Sequence, residues 1–242
     1  MKKTIMLLLV GLVFSMVHFT TISEAKSVEA EKQGLNEKQA AIVTIAAFTA
    51  KGDLAELKVA LNEGLDAGLT VNEIKEVLVQ MYAYTGFPRS LNGISTFMTV
   101  MDERKAKGIQ DEEGREASAL PTDKSSIELG TNIQTQISKG PVRGPLFTFA
   151  PAIDQFLKGH LFGDIFGRDV LDFQTREVAT IAALASMEGV NPQLQAHFRI
   201  GSNTGLTEEQ LKSLITVLNK RVDSSVANNA NNVLAQVKST KS

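Results

Sequence analysis

The 242-residue chain contains neither cysteine nor tryptophan, only two tyrosines, six prolines and three histidines. Without cysteine there is no disulfide framework, no thiolate nucleophile and no dithiol redox chemistry. The formal charge is −2, with both signs interspersed, so no strong field recruits nucleic acid or an anionic membrane. There is no Gly-rich phosphate loop with its lysine, no GxSxG elbow and no HExxH helix. Two widely spaced histidines after the first 25 residues make a poor ligand set, so neither a metal nor another cofactor is expected. Strict alternation of apolar and polar residues between hairpin turns is also missing, which excludes a half-buried sheet.

What is present begins with "MKKTIMLLLVGLVFSMVHFTTISEA": two lysines, an apolar run and a small-residue end. This pattern predicts a signal peptide over residues 1–25, cut after Ala25, and an exported protein, periplasmic or secreted. The alternative is an uncleaved anchor, for which the apolar run is short. His18 lies in this leader and has no role in the mature chain. After cleavage no contact with the membrane is expected, and a short linker covers residues 26–34.

The chain then repeats itself. "TIAA" occurs at residues 44–47 and 180–183, and "GLT" at 68–70 and 205–207, at nearly constant separation. Each copy carries the same punctuation. Asn36 and Asp172 are placed to cap a first helix. Gly68 and Gly205 suit the left-handed position that closes a second. Thr70 with Glu73, and Thr207 with Gln210, form capping boxes that open a third. The expected class is all-α, with one repeat at 35–104 and another at 145–222. Residues 105–144 between them read as a linker with a short helix, its first part polar and at best partly ordered. Residues 223–242 read as a C-terminal tail, at most a fraying helix.

Aligned by these anchors, Ala40, Ala41 and Ala60 of the first copy fall opposite Arg176, Glu177 and His197 of the second. Glu177 stands four residues before Ile181 and seven before Leu184, on the inward stripe of its helix, and His197 adjoins Leu194 and Phe198. An inward carboxylate and imidazole are costly unless they pair or meet a ligand. Paired, they supply a proton donor or acceptor near neutral pH. The structural alternative is a satisfied core histidine. A second dense stretch, "MYAYTGFPRSLNG", places Tyr84 and Arg89 about a turn, where Arg89 could clamp a carboxylate. His160, after the helix-loosening Gly159, is a further candidate for contact with substrate, with a structural role as the alternative.

The segments "GDLAELKVALNEGLDAGLTVNEIKEVLVQMYAYTGFPRSLNG", "LFGDIFGRDVLDFQTREVATIAAL" and "QLQAHFRIGSNTGLTEEQL" resemble the carboxymuconolactone decarboxylase family. That resemblance implies the all-α alkylhydroperoxidase D-like fold in duplicate, and a homo-oligomer, either a trimer or a hexamer-like ring. It also implies sites in apolar clefts between helices. Glu177 and His197 match the family's acidic and histidine positions, and Tyr84, Gly86 and Pro88 match its aromatic-Gly-x-Pro turn. The peroxidase branch carries a CxxC pair before the histidine; here Val190 and Gln193 stand there, so dithiol peroxide reduction is not carried over. The expectation is a cofactor-independent lyase or proton-transfer enzyme acting on a small carboxylated lactone or organic acid. In that scheme His197 is the acid–base group, Glu177 its orienter, Arg89 or Arg176 the carboxylate clamp and Tyr84 a donor to a carbonyl. The alternative is a non-catalytic ring that binds a small molecule or a protein.

Overall fold

A computed structural model of the chain describes residues 34–239. The leader and its cleavage point lie outside the described residues. Among the described residues every regular element is helical, and no helix is long and apolar enough to cross a membrane.

The first repeat supplies α1 (Glu37–Lys51), α2 (Leu54–Asp66) and α3 (Val71–Ala106). The second supplies α7 (Phe173–Ala185), α8 (Asn191–Asn203), α9 (Glu208–Arg221) and α10 (Ser224–Ser239). Asn36 and Asp172 accept from the backbone amides of Gln39 and Thr175, each at 2.8 Å. Thr70 and Thr207 form complete capping boxes with Glu73 and Gln210. These bonds satisfy amides that have no partner within the helix.

Helix α3 is two helices in one. Gly86 breaks it with φ 79° and ψ 161°, a conformation that side chains disfavour, and Pro88 follows without an N–H to give. The half beyond Gly86 aligns with α10, so each repeat is a four-helix unit. Within the tail read as at most a fraying helix, Ser224–Ser239 forms α10, which buries Ala227, Ala230, Val233, Leu234 and Val237, a helical stripe packed on α8 and α9. The Asn- and Ser-rich composition belongs to its outer face.

Helices α1 and α7 pack on each other at the centre, and residues 41–50 and 176–185 of them are buried without a break. One apolar core spans both repeats around this pair. Each fully buried Leu or Ile there contributes roughly 1.5–3 kcal/mol. From Leu35 onward the described chain is one compact unit.

The segment between the repeats is more ordered than its composition suggests. The carbonyls of Glu112 and Glu113 accept from the Val71 and Asn72 amides at 2.9 Å, closing the exposed start of α3. Arg104 holds Asp111 through three contacts of 2.8–3.1 Å. Then come α4 (Ser126–Ser138), α5 (Pro145–Phe149), α6 (Pro151–Gln155) and a π-helix, Phe156–Ile165. The π-helix lies against α4 so closely that a Cβ added to Gly130 would stand 1.6 Å from the Lys158 carbonyl oxygen. Their apolar faces make a second, smaller core of Ile133, Ile137, Leu161, Phe162, Ile165 and Phe166.

Candidate functional site

Tyr84, on α3, packs against both cores and so marks the junction between them. To this junction α7 brings Glu177 and α8 brings His197. Helix α8 approaches α7 closely because Gly201, one turn after His197, leaves room: a Cβ there would lie 3.1 Å from Ile181 Cδ1 and 3.7 Å from the Glu177 Cβ.

His197 Nδ1 and Glu177 Oε2 are 2.8 Å apart. The Glu177 side chain is wholly buried, whereas that of His197 keeps 11% of its exposure. A carboxylate only accepts, so Nδ1 carries the proton of this bond and Nε2 is the ring atom left for another partner. The Tyr84 ring meets the imidazole edge-on, with centroids 5.5 Å apart.

Among the described residues Glu177 Oε1 and Tyr84 Oη, both buried, find no hydrogen-bond partner. Burial pushes the Tyr84 phenol well above its ordinary range, and the Glu177 charge pushes the same way; Thr180 and Arg176 oppose them weakly. No regular hydrogen bond joins Tyr84 to Thr180, whose hydroxyl instead accepts from Gln80 Nε2 at 3.0 Å. Unpaired buried groups of this kind each cost about 1–3 kcal/mol. The arrangement offers an acceptor, a phenol donor and an imidazole edge to something small and polar.

Arg176 has a different setting. It is fully buried, and its guanidinium donates to Gln80 Oε1, Glu76 Oε1 and the Arg168 carbonyl at 2.7–2.8 Å. Burial lowers its pKa, with Glu76 opposing. Glu76 also takes Arg168 Nε on both oxygens at 3.0 Å. Arg89 donates to the Ala50 carbonyl at the end of α1, satisfying one of that helix's terminal acceptors. His160 sits on the π-helix, half-exposed, between Tyr82 and Asp164. Glu177, His197 and Tyr84 are thus brought together, and Arg176 adjoins them through Gln80 and Thr180; Arg89 and His160 make their contacts elsewhere.

Sequence reasoning did not single out Glu76, Gln80, Arg168 or Asp164. For the first two the signal was available. Aligned by the repeats, Glu76 and Gln80 fall opposite Ser213 and Val217, the same loss of polarity that exposes Glu177.

That comparison has a structural counterpart. A cavity of about 470 Å³ is lined by Ala40, Ala41, Thr44, Val217 and Arg221 among others. These align with Arg176, Glu177, Thr180, Gln80 and Tyr84. Where the second repeat fills the seam with large polar side chains, the first leaves space behind alanines. A separate cavity of about 500 Å³ is bordered by Arg115, Ile133, Phe166, Arg168 and Phe173, not by Glu177 or His197. Among the described residues no group of three or more His, Asp or Glu is gathered as a metal site would require.

A family model described as "Carboxymuconolactone decarboxylase family" matches residues 18–95 and 151–236. The first match begins inside the segment read as a leader. An "Uncharacterized 15.0 kDa protein in nqo9-nqo10 intergenic region" of Paracoccus denitrificans is 34% identical over 74 residues, 30% of this chain and 55% of that protein. The chain thus spans about half the length of that curated relative.

Proposed function

Since the chain belongs to the carboxymuconolactone decarboxylase family, we propose that it is a cofactor-independent proton-transfer enzyme, of lyase type, acting on a small carboxylated lactone or organic acid at Glu177 and His197. The observation that carries this reading is the buried 2.8 Å contact between Nδ1 of His197 and Glu177 beside two unsatisfied polar atoms. Loss of CO2 from the substrate carboxylate leaves the bonding electron pair on carbon. The proton comes from His197 Nε2, and solvent restores it. Glu177 stabilises the imidazolium and fixes its orientation, while Tyr84 Oη donates to the carbonyl oxygen on which charge develops. A positioned acid–base group contributes about 10²–10⁴-fold.

Export and assembly belong to the same proposal. Export rests on the lysine-flanked apolar run of the first 25 residues. Assembly into a trimer or hexamer-like ring is supported by exposed apolar side chains, with Met98 at 63%, Phe149 at 90% and Phe156 at 66% exposure.

The test follows CO2 release and solvent deuterium incorporation by NMR across a panel of carboxylated lactones and 3-oxo acids. Turnover that falls by about 10² or more in His197→Ala, with the oligomer unchanged, supports the reading. Equal turnover in the variant sinks it. Tight binding across the panel without any turnover favours the non-catalytic ring.

A further inference from the structure

The chain has two tyrosines, and each is paired with a histidine and a carboxylate. Tyr84 accompanies His197 and Glu177. Tyr82, two residues earlier on α3, has its phenol oxygen in hydrogen-bond contact with His160 Nε2, while His160 Nδ1 lies 2.9 Å from Asp164 Oδ2. In the first set Glu177, His197 and the Tyr84 phenol oxygen are buried, whereas the side chains of His160 and Asp164 are 45% and 43% exposed.

Elementary chemistry fixes the direction of this second chain of bonds. Asp164 only accepts, so the imidazole proton is on Nδ1, Nε2 is an acceptor, and the phenol must be the donor. The Tyr82 proton therefore points at a base which is itself held by a carboxylate. A nucleophile touching a base, with the base oriented by a third group, is the arrangement that activates hydroxyl nucleophiles. Beside it, the Phe87 ring stacks on the Tyr82 ring with centroids 4.2 Å apart and is largely exposed, an apolar shelf against the phenol ring. The π-helix carries both His160 and Asp164, and such segments recur where a helix is distorted for function.

We propose that Tyr82, His160 and Asp164 form a second site, independent of His197, that accepts acyl groups from small activated esters with an apolar acyl portion. Tyr82 Oη attacks the ester carbonyl, and its proton passes to His160 Nε2. The bond to the leaving oxygen breaks, and that oxygen departs with the electron pair and takes the proton from His160. The product is an acyl-tyrosine. Water, deprotonated by His160, then attacks the acyl carbon, and Tyr82 leaves and recovers its proton. The sum is ester and water giving acid and alcohol. A phenol is suited to both halves. Phenols are stronger acids than aliphatic alcohols, so a phenol oxygen is the easier to deprotonate and for the same reason the better leaving group. Asp164 acts as a positioning residue through His160.

The experiment uses the full chain with p-nitrophenyl acetate, following nitrophenolate release and mapping acetyl groups by mass spectrometry after rapid quenching. Acetyl is expected on Tyr82, transiently, and not on Tyr84, whose phenol oxygen is buried. Tyr82→Phe and His160→Gln should slow release by about 10². Asp164→Asn should slow it too, and Asp164→Glu should recover part of the loss, which a merely structural role for Asp164 does not predict. Thermal melts check that each variant folds; should one fail, the acetyl map on the unaltered chain decides alone. Acetylation confined to lysines and the amino terminus overturns the proposal, as does release by Tyr82→Phe at the unaltered rate.

Discussion

The Tyr84 ring stands edge-on to His197 with centroids 5.5 Å apart, although one belongs to the first repeat and the other to the second. The candidate site is therefore made by the duplication and could not be assembled from either copy alone. Helix α3 of the first repeat lies across α7 of the second and contributes Glu76, Gln80 and Tyr84 to the seam.

Glu177 and His197 should be strongly coupled in stability. In His197→Ala the Glu177 carboxylate keeps no hydrogen-bond partner in a wholly buried place. Breaking a buried pair from one side costs about 3–5 kcal/mol. The first repeat shows the same seam with both groups absent: Ala41 and Ala60 are buried there, Ala41 beside a cavity, and neither leaves a charge unpaired. The double variant Glu177→Ala, His197→Ala should accordingly be more stable than His197→Ala alone. Urea denaturation of the two variants measures the difference; additive losses would show that the residues do not depend on each other.

The caps and the repeat were legible because their chemistry is local. Asn36, Thr70, Asp172 and Thr207 each answer an amide three residues away, which a single sequence displays. Glu177 and His197 were legible for another reason, that the chain carries its own apolar comparison at Ala41 and Ala60. The pairing of Glu76 with Arg168 and Arg176 was not, because Glu76 stands 92 and 100 residues before them and meets them only once α3 is known to lie on α7. Arg89 is similar. Its partner, the Ala50 carbonyl, is placed by the ending of α1, which no side-chain pattern near Arg89 reveals. The close approach of Gly130 to Lys158 was equally hidden, since glycine in a helix shows no sign of what needs its missing Cβ.

Alkaline pH should unfold the protein through Tyr84. Its folded pKa lies above the unfolded value of about 10, so the stability it confers is complete below pH about 10. It is lost as pH rises further, because the unfolded chain gives up the proton that the folded chain retains. With two tyrosines and no tryptophan, phenolate absorbance can resolve the event. The Tyr84 phenol should give up its proton only as the chain unfolds. Tyr84→Phe should move the alkaline unfolding midpoint upward, and a midpoint left in place would count against this origin.

Removing Glu76 should harm stability more than removing any exposed carboxylate. Among the described residues it is the only charged group that accepts a hydrogen bond from Arg176, which is fully buried. Glu76→Gln preserves shape but leaves that cation among neutral acceptors, at a cost of about 3–5 kcal/mol. Glu103→Gln, which loses only an exposed pair with Lys58, should cost less than about 1 kcal/mol. Guanidinium melts of the two variants give the contrast.

Gly130→Ala should loosen α4 from the π-helix. The added methyl would overlap the Lys158 carbonyl oxygen, which is backbone and cannot rotate aside. Overpacking typically costs about 1–3 kcal/mol, and relief requires the two helices to separate. Hydrogen exchange should therefore rise across Ser126–Ser138 and Phe156–Ile165 while the amides of α1 and α7 stay protected. Uniform protection throughout would mean that the contact is softer than the packing indicates.

Acid should release the segment between the repeats at Asp169. Its carboxylate accepts from the Ser118 amide and hydroxyl, each at 2.8 Å, and pairs with Arg115 at 3.0 Å. The Ser118 amide, then its hydroxyl, with a smaller part from Arg115, hold its folded pKa far below the ordinary carboxylate range. A depressed pKa contributes stability that is complete above the unfolded value of about 3.9 and disappears as pH falls below it, where protonation favours the state that has lost these bonds. Asp169→Asn cannot carry the charge at any pH, so it should loosen the segment near neutrality and remove part of the acid dependence. The difference between variant and unaltered chain in pepsin cleavage between residues 109 and 122 should therefore narrow steadily as pH is lowered through that range. A difference independent of pH would assign the effect to the lost hydrogen-bond geometry rather than to the charge.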